Sequence, residues 1–315
     1  MNIMENDIDL VYLWVDGSDP KWVEKRNACI GRPKEGSGVN CKGRYADNDE
    51  LKYSLRSVEL YAPWIRRIFI VTDEQTPRWL DTSNPKIRIV DHKEIMPEVC
   101  LPCFNSTVIE HHLHKIPDLA ERFLFANDDM FINRPVVPGD FFAADGLPIA
   151  RMNRRPFRKV TLFLREKVFR KPIRYFPRVV RAAALAAERK YGIYYKDKAH
   201  HNIDAYLKSD YERMREIFSA EIDVTLGNHV RSSNDIQRNL YTYAGLAEKR
   251  MHLCYVGGRT SFRFHIEKKS HYKKLAKYDP LFFCMNDSEY ATDADRQRVT
   301  EFLSERFAEK SSFEK

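Results

Sequence analysis

Carboxylates that follow predicted strands constrain the fold of this chain more than any other feature. Four stretches rich in branched or aromatic residues, 8–15, 68–72, 87–90 and 123–126, are predicted to be strands. Helical patterns lie between them, near residues 21–28, 50–61 and 108–115. Strands that alternate with helices predict an α/β fold with a largely parallel, Rossmann-like sheet and helices on both faces.

The acids at the strand ends point to one cleft. They follow the four strands in order, as Asp16, Asp73, Asp91 and the run Asn127-Asp128-Asp129. In open α/β sheets ligands bind at the carboxyl ends of the strands, so acids placed there indicate a shared site. Adjacent carboxylates such as Asp128 and Asp129 are hard oxygen ligands that suit Mg²⁺ or Mn²⁺. A structural interpretation stays open, because Asp and Asn also form turns.

A basic segment lies between residues 151 and 181. It holds twelve lysines and arginines against one acid, Glu166, in a chain of net charge +8. Aromatic and aliphatic residues separate the cations, and this mixture suits an anionic membrane surface or a polyanionic chain. A solvated helical face is the alternative interpretation. The segment carries no recognisable nucleic-acid-binding motif, so we expect no nucleic acid partner.

The chain is expected to be folded and cytoplasmic. Its first residues have no pattern typical of a secretory signal, and no apolar run approaches membrane-spanning length. If the basic segment binds lipid, the protein would be peripheral at the inner face of the cell membrane. With 43% hydrophobic residues, we expect order throughout except at residues 311–315. A lone Cys-x-x-Cys pair, Cys100 and Cys103, is weak evidence for a metal or redox site.

Four blocks of sequence resemble one enzyme family. The run IDLVYLWVDGSDP at 8–20 resembles the first signature block of the Stealth family of sugar-phosphate transferases. A second, longer match runs from RYADNDELKYSLRS at 44–57 to FANDDM at 125–130. Two thinner blocks, HHNID at 200–204 and FCMND at 283–287, complete the family's order, with Arg231 and Asp235 between them. The basic segment matches nothing in the family pattern.

The resemblance implies a reaction. The Stealth family includes bacterial capsular polysaccharide phosphotransferases and resembles the animal lysosomal-enzyme N-acetylglucosamine-1-phosphotransferase. By this resemblance we expect a GT-A-like nucleotide-sugar fold and transfer of a hexose or N-acetylhexosamine 1-phosphate from a UDP-sugar. The acceptor would be a sugar hydroxyl on a glycan, and this glycan could be linked to a lipid. UMP would be the leaving group. Mg²⁺ or Mn²⁺ would be the cofactor.

The same resemblance implies roles for single residues. Metal ligands would be Asp128, Asp129, Asn286 and Asp287. His201 would be the base or, alternatively, form a phospho-histidine, while Arg56 and Arg231 would neutralise phosphate. Asp16 and Asp235 complete the predicted catalytic set. Predicted substrate-binding residues are Trp14, Gly17, Ser18, Asp19, Glu50, Ser54, Asp73, Glu110, His111, His114 and Asp204.

Domain boundaries follow from the blocks and the charge. We expect an α/β half at 1–150 that binds nucleotide-sugar and metal, a basic helical insertion at 151–190, and a catalytic half at 191–315 that completes the same domain. Within the last part, helices are predicted at 203–218, 234–248 and 293–308, and a strand at 251–256.

Two other functions stay open at this point. A metal-dependent glycosyltransferase on a similar fold would use the same acids but release UDP. A non-enzymatic scaffold that binds membrane or polyanion would explain the basic segment but not the acids. Structural roles also compete at single positions, because Glu110 has capping-box spacing after Thr107, His111 and His114 can pack as core residues, and Arg56 can form a surface salt bridge.

Overall fold

The computed structural model describes residues 8–30 and 47–315. The first residues of the second matched block, Arg44, Tyr45 and Ala46, lie outside the described residues. In chain order the strands are β1 (Ile8–Leu13), β2 (Ile68–Thr72), β3 (Ile87–Asp91), β4 (Arg122–Asn127), β5 (Met130–Ile132), β6 (Ile149–Asn153), β7 (Lys198–Ala199), β8 (Asp204–Leu207), β9 (His252–Tyr255), β10 (Ser261–His265) and β11 (Phe282–Asn286).

The helices fill the connections between these strands. They are α1 (Pro20–Ile30), α2 (Glu50–Tyr61), α3 (His92–Ile95), α4 (Ser106–Glu110), α5 (Arg158–Phe163), α6 (Tyr175–Tyr191), α7 (Lys208–Ile217), α8 (Ser219–Leu226), α9 (Asn239–Ala247), α10 (Lys269–Tyr278) and α11 (Asp293–Arg306). Within the described part of the chain, no helix is long and apolar enough to cross a bilayer.

A five-stranded sheet forms the centre of the molecule, in the order β3-β2-β1-β4-β8. The first four strands are parallel, and β8 runs antiparallel to β4. Alternate residues of β1 enter different hydrophobic clusters, Leu10 and Tyr12 on one side and Val11 on the other. Both faces are therefore covered, as expected of parallel strands. The predicted α/β fold with helices on both faces is confirmed.

Two smaller sheets flank the central one. The order β10-β11-β5 joins the end of the chain to the segment after β4, and β7-β6-β9 forms beside it. In the first of these, the register pairs Arg263 with Cys284 and Cys284 with Met130. Because β5 begins at Met130, it follows directly on Asp128 and Asp129. This connection brings β11 next to the acids that follow β4.

The predicted helices at 203–218 and 234–248 differ from those observed. The first begins as strand β8, because Ile203, Ala205 and Leu207 enter one hydrophobic cluster while Tyr206 enters the other. This alternation is a strand pattern. The second begins only at α9, since the buried Asp235 carboxylate accepts a hydrogen bond from the Ser232 backbone at 2.9 Å and holds a turn there.

The segment 151–190 has three structural parts rather than one helical insertion. Residues 151–153 belong to β6, residues 154–172 are at the surface, and α6 is part of the core. The core positions of α6 recur at helical spacing and include Val179, Val180, Ala183, Ala184 and Ala187. The prediction of a helical segment was therefore wrong at its start, which is strand, whereas its end is the helix α6.

The C-terminal residues are also ordered, contrary to expectation. Phe313 is buried, and its carbonyl accepts a hydrogen bond from the Asp81 backbone at 2.8 Å. The Glu314 carboxylate binds Arg56, and the Lys315 backbone donates to Trp79. One buried aromatic side chain and one ion pair therefore order residues that the composition predicted to be disordered.

Candidate functional site

The site lies at the carboxyl ends of the parallel strands. The chain passes from β1 to β2 in one direction and adds β4 on the other side of β1, so strand order reverses between β1 and β4. A crevice forms at such a switch point. The acids after β4 lie there, and β8 enters from the same edge because it is antiparallel.

Three chemically different side chains converge at this edge. Ligand atoms of Asp129, His201 and Cys284 all lie within 4.8 Å of one another. The Cys284 thiol donates to Asp129 Oδ2 at 3.2 Å, whereas the buried Oδ1 of Asp129 has no hydrogen-bond partner among the described residues. We call these three residues, together with Asp128, the edge cluster. Three separate segments of the chain supply it, from the β4–β5 turn, the approach to β8, and β11.

Carboxylates crowd around Asp128. The Asp129 backbone donates to Asp128 Oδ1 at 3.1 Å. Burial, then the charges of Asp129 and Glu50, hold the pKa of Asp128 well above its usual value. Burial also raises the pKa of Asp129 to about 6 and that of Glu50 to about 7. Crowded carboxylates of this kind favour a bound cation.

Two cations that the sequence analysis did not single out lie beside the edge cluster. Arg263 is opposite Cys284 in the β10–β11 pair, and its Nε donates to Asn286 Oδ1 at 3.0 Å. Lys198 Nζ lies 4.4 Å from the centre of the Phe176 ring. Burial and the nearby Arg263 charge lower the pKa of Lys198 to about 8. One feature of the sequence could have identified Lys198 as a site residue: it lies two residues before the matched block at 200–204.

His201 is held in its neutral form. Burial, followed by the charges of Arg263 and Lys198, keeps the pKa of its imidazole well below the usual value. The ring also lies edge-on to Phe176, with 6.5 Å between ring centres. A neutral imidazole can accept a proton or bind a metal.

The predicted metal ligands fit a cation only in part. Asp128 and Asp129 offer crowded oxygens, one of them unpartnered, which suits a divalent ion. Asp287 differs, since Arg296 holds both of its oxygens at 2.7 and 3.1 Å. Cys284 and His201, rather than Asp287, lie close to Asp129. Their sulfur and nitrogen atoms are softer ligands than Mg²⁺ prefers.

A group of paired charges lies next to the edge cluster, and we call it the Arg238 network. The buried Arg238 guanidinium binds Glu110 at 3.1 Å, Asp204 at 2.8 Å and the Tyr206 hydroxyl at 3.1 Å. The other oxygen of Asp204 lies 3.2 Å from His200 Nε2. Glu110 and Asp204 are thus brought together near the site, but both are engaged by protein.

The turn after β1 is built around Gln75. Asp16 Oδ1 accepts hydrogen bonds from the backbone and hydroxyl of Ser18, at 2.8 and 2.6 Å. The Gln75 amide donates to the Asp16 carbonyl and to Asp19 Oδ2, at 2.9 and 3.0 Å. Trp14 is buried just before the turn, and Gly17 lies within it. These predicted residues lie at the same sheet edge as the edge cluster.

Asp73 directly follows β2 at this edge and keeps one free oxygen. Its Oδ1 accepts a hydrogen bond from Lys25 at 2.7 Å, while its buried Oδ2 has no partner among the described residues. A buried carboxylate oxygen without a partner is costly unless a ligand donates to it. Asp73 therefore remains a predicted contact for substrate.

Arg231 and Asp235 both contact Tyr175, at the start of α6. The Arg231 guanidinium donates to Ser106 Oγ at 3.0 Å. The Asp235 carboxylate accepts from Asn105, Asn228 and Tyr175, at 3.0, 2.8 and 2.7 Å. Because Tyr175 precedes Phe176, whose ring lies against His201, α6 connects this pair to the edge cluster.

Several predicted residues have partners outside the edge cluster. Both nitrogens of His111 are engaged, by Tyr241 at 2.7 Å and the Ile236 carbonyl at 2.8 Å. His114 is buried against Tyr211. Arg56 forms a bidentate pair with Glu314, with both distances 2.7 Å, and Ser54 links Tyr12 to the Met130 carbonyl.

The family models that match the chain are two conserved regions of Stealth proteins. The model "Stealth protein CR1, conserved region 1" matches residues 6–32, and "Stealth protein CR2, conserved region 2" matches residues 44–150. These ranges include the turn after β1 and both acids after β4. His201, Arg263 and Cys284 lie beyond them.

Similar proteins carry related names. The capsular polysaccharide phosphotransferase LcbA of Aeromonas hydrophila is 35% identical over 96% of this chain and 84% of its own length. The exopolysaccharide phosphotransferase cps2G of Lactiplantibacillus plantarum is 50% identical over 45% of this chain, a match that spans only 41% of that protein. Among solved structures, the galactosyltransferase LgtC with donor and acceptor sugar analogues is 12% identical, covers 96% of each chain and has a TM-score of 0.48.

Proposed function

The chain belongs to the Stealth family of capsular and exopolysaccharide phosphotransferases, and from this premise we propose that it transfers a sugar 1-phosphate from a UDP-sugar to a glycan hydroxyl. The observation that carries the proposal is the edge cluster, in which carboxylates, a neutral imidazole and flanking cations meet at the sheet edge. In-line phosphoryl transfer needs this combination of charge neutralisation, positioning and a base. The donor sugar would be a hexose or N-acetylhexosamine.

The reaction exchanges one phosphorus–oxygen bond for another. The acceptor oxygen bonds to the phosphorus that carries the sugar, and the bond from this phosphorus to the bridging oxygen breaks. UMP leaves with the bridging oxygen, and the sugar 1-phosphate becomes a phosphodiester. The proton of the acceptor hydroxyl goes to His201, whose neutral ring can accept it.

Arg263 and Lys198 are proposed to neutralise the phosphates. Both lie beside His201, and Lys198 is half-buried there. Arg231 is proposed to contribute from the adjacent α6 side, where it borders Tyr175. Arg56 is left out of this role, because Glu314 occupies its guanidinium.

Substrate contacts are proposed along the rest of the edge. The turn at Asp16, Gly17 and Ser18 and the free oxygen of Asp73 are available to the nucleotide. A divalent ion, Mg²⁺ or Mn²⁺, would be held by Asp128 and Asp129 and would neutralise diphosphate charge. Asn286 would contribute only if its oxygen were released from Arg263.

The experiment measures which nucleotide is released. Wild type is incubated with UDP-N-acetylglucosamine and other UDP-sugars, Mg²⁺ or Mn²⁺, and a capsule oligosaccharide, and is compared with Asp128→Ala and His201→Ala. Matched controls are Asp145→Ala and His252→Ala, an exposed pair 2.8 Å apart that lies outside the edge cluster. We expect UMP from wild type and both controls and a large loss in the two edge-cluster variants.

Other outcomes distinguish the alternatives. UDP as product would establish a metal-dependent glycosyltransferase and overturn the proposal. Labelled phosphate retained on denatured wild type, but not on His201→Ala, would indicate a phospho-histidine in place of direct transfer. Equal UMP release by all variants would remove the edge cluster from the reaction.

The acceptor and the location belong to the same proposal. A glycan hydroxyl is the acceptor, and its lipid-linked form would place the enzyme at the inner face of the cell membrane. The predicted parts 1–150, 151–190 and 191–315 are proposed to differ in function and are not proposed as separate domains. Both halves contribute to the edge cluster, since Asp129 comes from the first and His201 and Cys284 from the second.

A further inference from the structure

Residues 154–172, which we call the exposed arm, present apolar side chains to solvent. Every residue of the arm is at least partly exposed. Six of the fourteen exposed large hydrophobic side chains among the described residues lie within its stretch 157–169, each with 37–71% of its surface accessible. They are Phe157, Val160, Phe163, Leu164, Val168 and Phe169. Apolar side chains gathered in this way mark a surface that contacts something other than water.

The apolar side chains lie mostly on the outer face of the arm. Its helical part runs through α5 into the π-helical turn Leu164–Val168. Positions 157, 160, 164 and 168 are three or four residues apart, so they share one helical face. The partly covered residues of the arm are Arg158, Leu162 and Glu166, spaced by four on the opposite face. The apolar face therefore points away from the body of the protein.

The inner face is tied to a rigid support. Glu166 pairs with Arg181 at 2.8 Å, and Lys159 pairs with Glu188 at 2.9 Å. Both partners belong to α6, which is packed into the core. The arm is thus held by ion pairs on one side and left uncovered on the other.

Cations accompany the apolar face. Arg165, Lys167, Arg170 and Lys171 are all exposed, and the single acid of the arm, Glu166, is engaged by Arg181. Cations beside exposed aromatic and aliphatic side chains form the composition that binds at the headgroup boundary of an anionic bilayer. A soluble polyanion would neutralise the cations but would leave the apolar side chains in water.

We propose that the exposed arm docks this protein on an anionic lipid bilayer, with its apolar face at the headgroup boundary and its cations on lipid phosphates. The base of the arm adjoins the edge cluster, because the Arg155 backbone donates to Asp197 Oδ1 at 2.6 Å and the next residue, Lys198, pairs with Asn153 of β6 three residues before His201. The docked arm would therefore bring the edge cluster to the membrane surface. This last step rests on the proposed function, in which a lipid-linked glycan is the acceptor.

The first test separates apolar insertion from charge. The full chain is floated with vesicles of phosphatidylglycerol and phosphatidylcholine, and the triple variant Phe157→Ser, Val160→Ser and Val168→Ser is compared with wild type. A matched control replaces three exposed apolar residues elsewhere, Val99, Val137 and Tyr290, by serine. We expect about tenfold or greater loss of vesicle binding in the arm variant, and no loss in the control.

The second test concerns charge. Arg165, Lys167, Arg170 and Lys171 are changed to Glu, and the control changes four exposed lysines of α10, Lys269, Lys273, Lys274 and Lys277, to Glu. Both variants alter net charge equally, so a difference between them reports position. We expect the arm variant to lose vesicle binding by about a hundredfold or more at low salt, with a much smaller effect in the control.

The outcomes are decisive in either direction. Wild type that fails to float with anionic vesicles, or arm variants that float as well as their controls, would overturn docking. Binding to a soluble teichoic acid polymer that depends on the four cations but not on the three apolar residues, without vesicle binding, would assign the arm to polymer instead. UMP release with a soluble acceptor is measured on the serine variant in parallel. If wild type binds vesicles but releases no UMP, docking stands and the proposed function fails.

Discussion

The edge cluster and the Arg238 network lie side by side and hold charge in opposite ways. In the network, Arg238 binds both Glu110 and Asp204, so each of these acids has a cation partner. In the edge cluster, Asp128 and Asp129 crowd together, and one buried oxygen has no partner among the described residues. The first arrangement leaves each acid with a cation partner, and the second stores repulsion that a bound cation can relieve.

This difference in pairing indicates which charged residues are functional. Glu110 and Asp128 are both acids in matched segments of the sequence, and the resemblance implies a functional role for each, although Glu110 also has capping-box spacing after Thr107. Burial raises the pKa of both, yet only Glu110 has Arg238 to lower it. Incomplete pairing, rather than burial or charge, distinguishes the residue that is left for a ligand.

The largest effect is expected from breaking the network. Arg238→Gln leaves Glu110 and Asp204 buried without their cation, so the free energy of unfolding should fall by about 3–5 kcal/mol. Urea denaturation with Arg238→Lys as the partial-rescue control measures this change. A loss below about 1 kcal/mol would mean that the network contributes no more than a surface ion pair. That result would contradict the contrast drawn between the network and the edge cluster.

Removing one acid from the edge cluster should lower activity without lowering stability, the reverse of the effect expected for Arg238→Gln. Asp128→Asn takes away repulsion, so stability without divalent cation should be unchanged or higher, while UMP release should fall by about 10²–10³-fold. Thermal denaturation and nucleotide release are measured on the same preparation, with Asp145→Asn as the exposed control. If stability falls as far as in Arg238→Gln, the edge cluster is structural.

Buried histidines extend the comparison to pH. Burial lowers the pKa of His111 to about 4, below its unfolded value near 6.5, so the unfolded chain binds more protons between these values. The contribution of His111 is complete above about pH 6.5 and declines as pH falls towards 4, by about 1–3 kcal/mol.

Urea denaturation at pH 7.5 and pH 5 checks this. His111→Gln should be less stable than wild type at pH 7.5, because its contacts to Tyr241 and Ile236 change, but should lose less stability on acidification. An unchanged pH dependence in the variant would show that His111 is not buried in its neutral form.

The smallest effect concerns Arg56, which the sequence predicts to bind phosphate. Its pair with Glu314 fixes the C-terminal tail, so Arg56→Gln should lower the free energy of unfolding by about 1–2 kcal/mol. Transfer activity should stay close to wild type. Glu314→Gln is the matched control and should reproduce the loss. A large fall in turnover without loss of stability would restore the predicted phosphate-binding role.

Much of the central sheet could be predicted from the sequence. β1 to β4 combine hydrophobic residues with flanking turns, and the acids after them follow from position alone. The start of β8 was missed because four residues run directly into α7, and the pattern is readable only once β4 is beside it. The tail at 311–315 was misjudged because a single buried Phe313 outweighs polar neighbours.

The sequence analysis identified Asp128, Asp129 and His201 of the edge cluster but missed Cys284 and the two cations beside it. Asp128 and Asp129 are adjacent and follow a buried strand, whereas Cys284 is more than 150 residues away from Asp129 along the chain. Arg263 and Lys198 lie in segments without a strong motif. Their relation to His201 depends on the pairing of β10 with β11 and on the packing of α6, which local sequence does not specify.

The sequence by itself determined the α/β alternation, the acid-terminated strands and the family, because these depend on residues close together or on matched blocks. Only the tertiary structure decided which acids are paired and which remain free. Asp287 and Arg56 have partners, Arg296 and Glu314, that no local pattern identifies. The physical reason is that the energy of a buried charge depends on the neighbours that folding brings to it, and those neighbours come from distant parts of the chain.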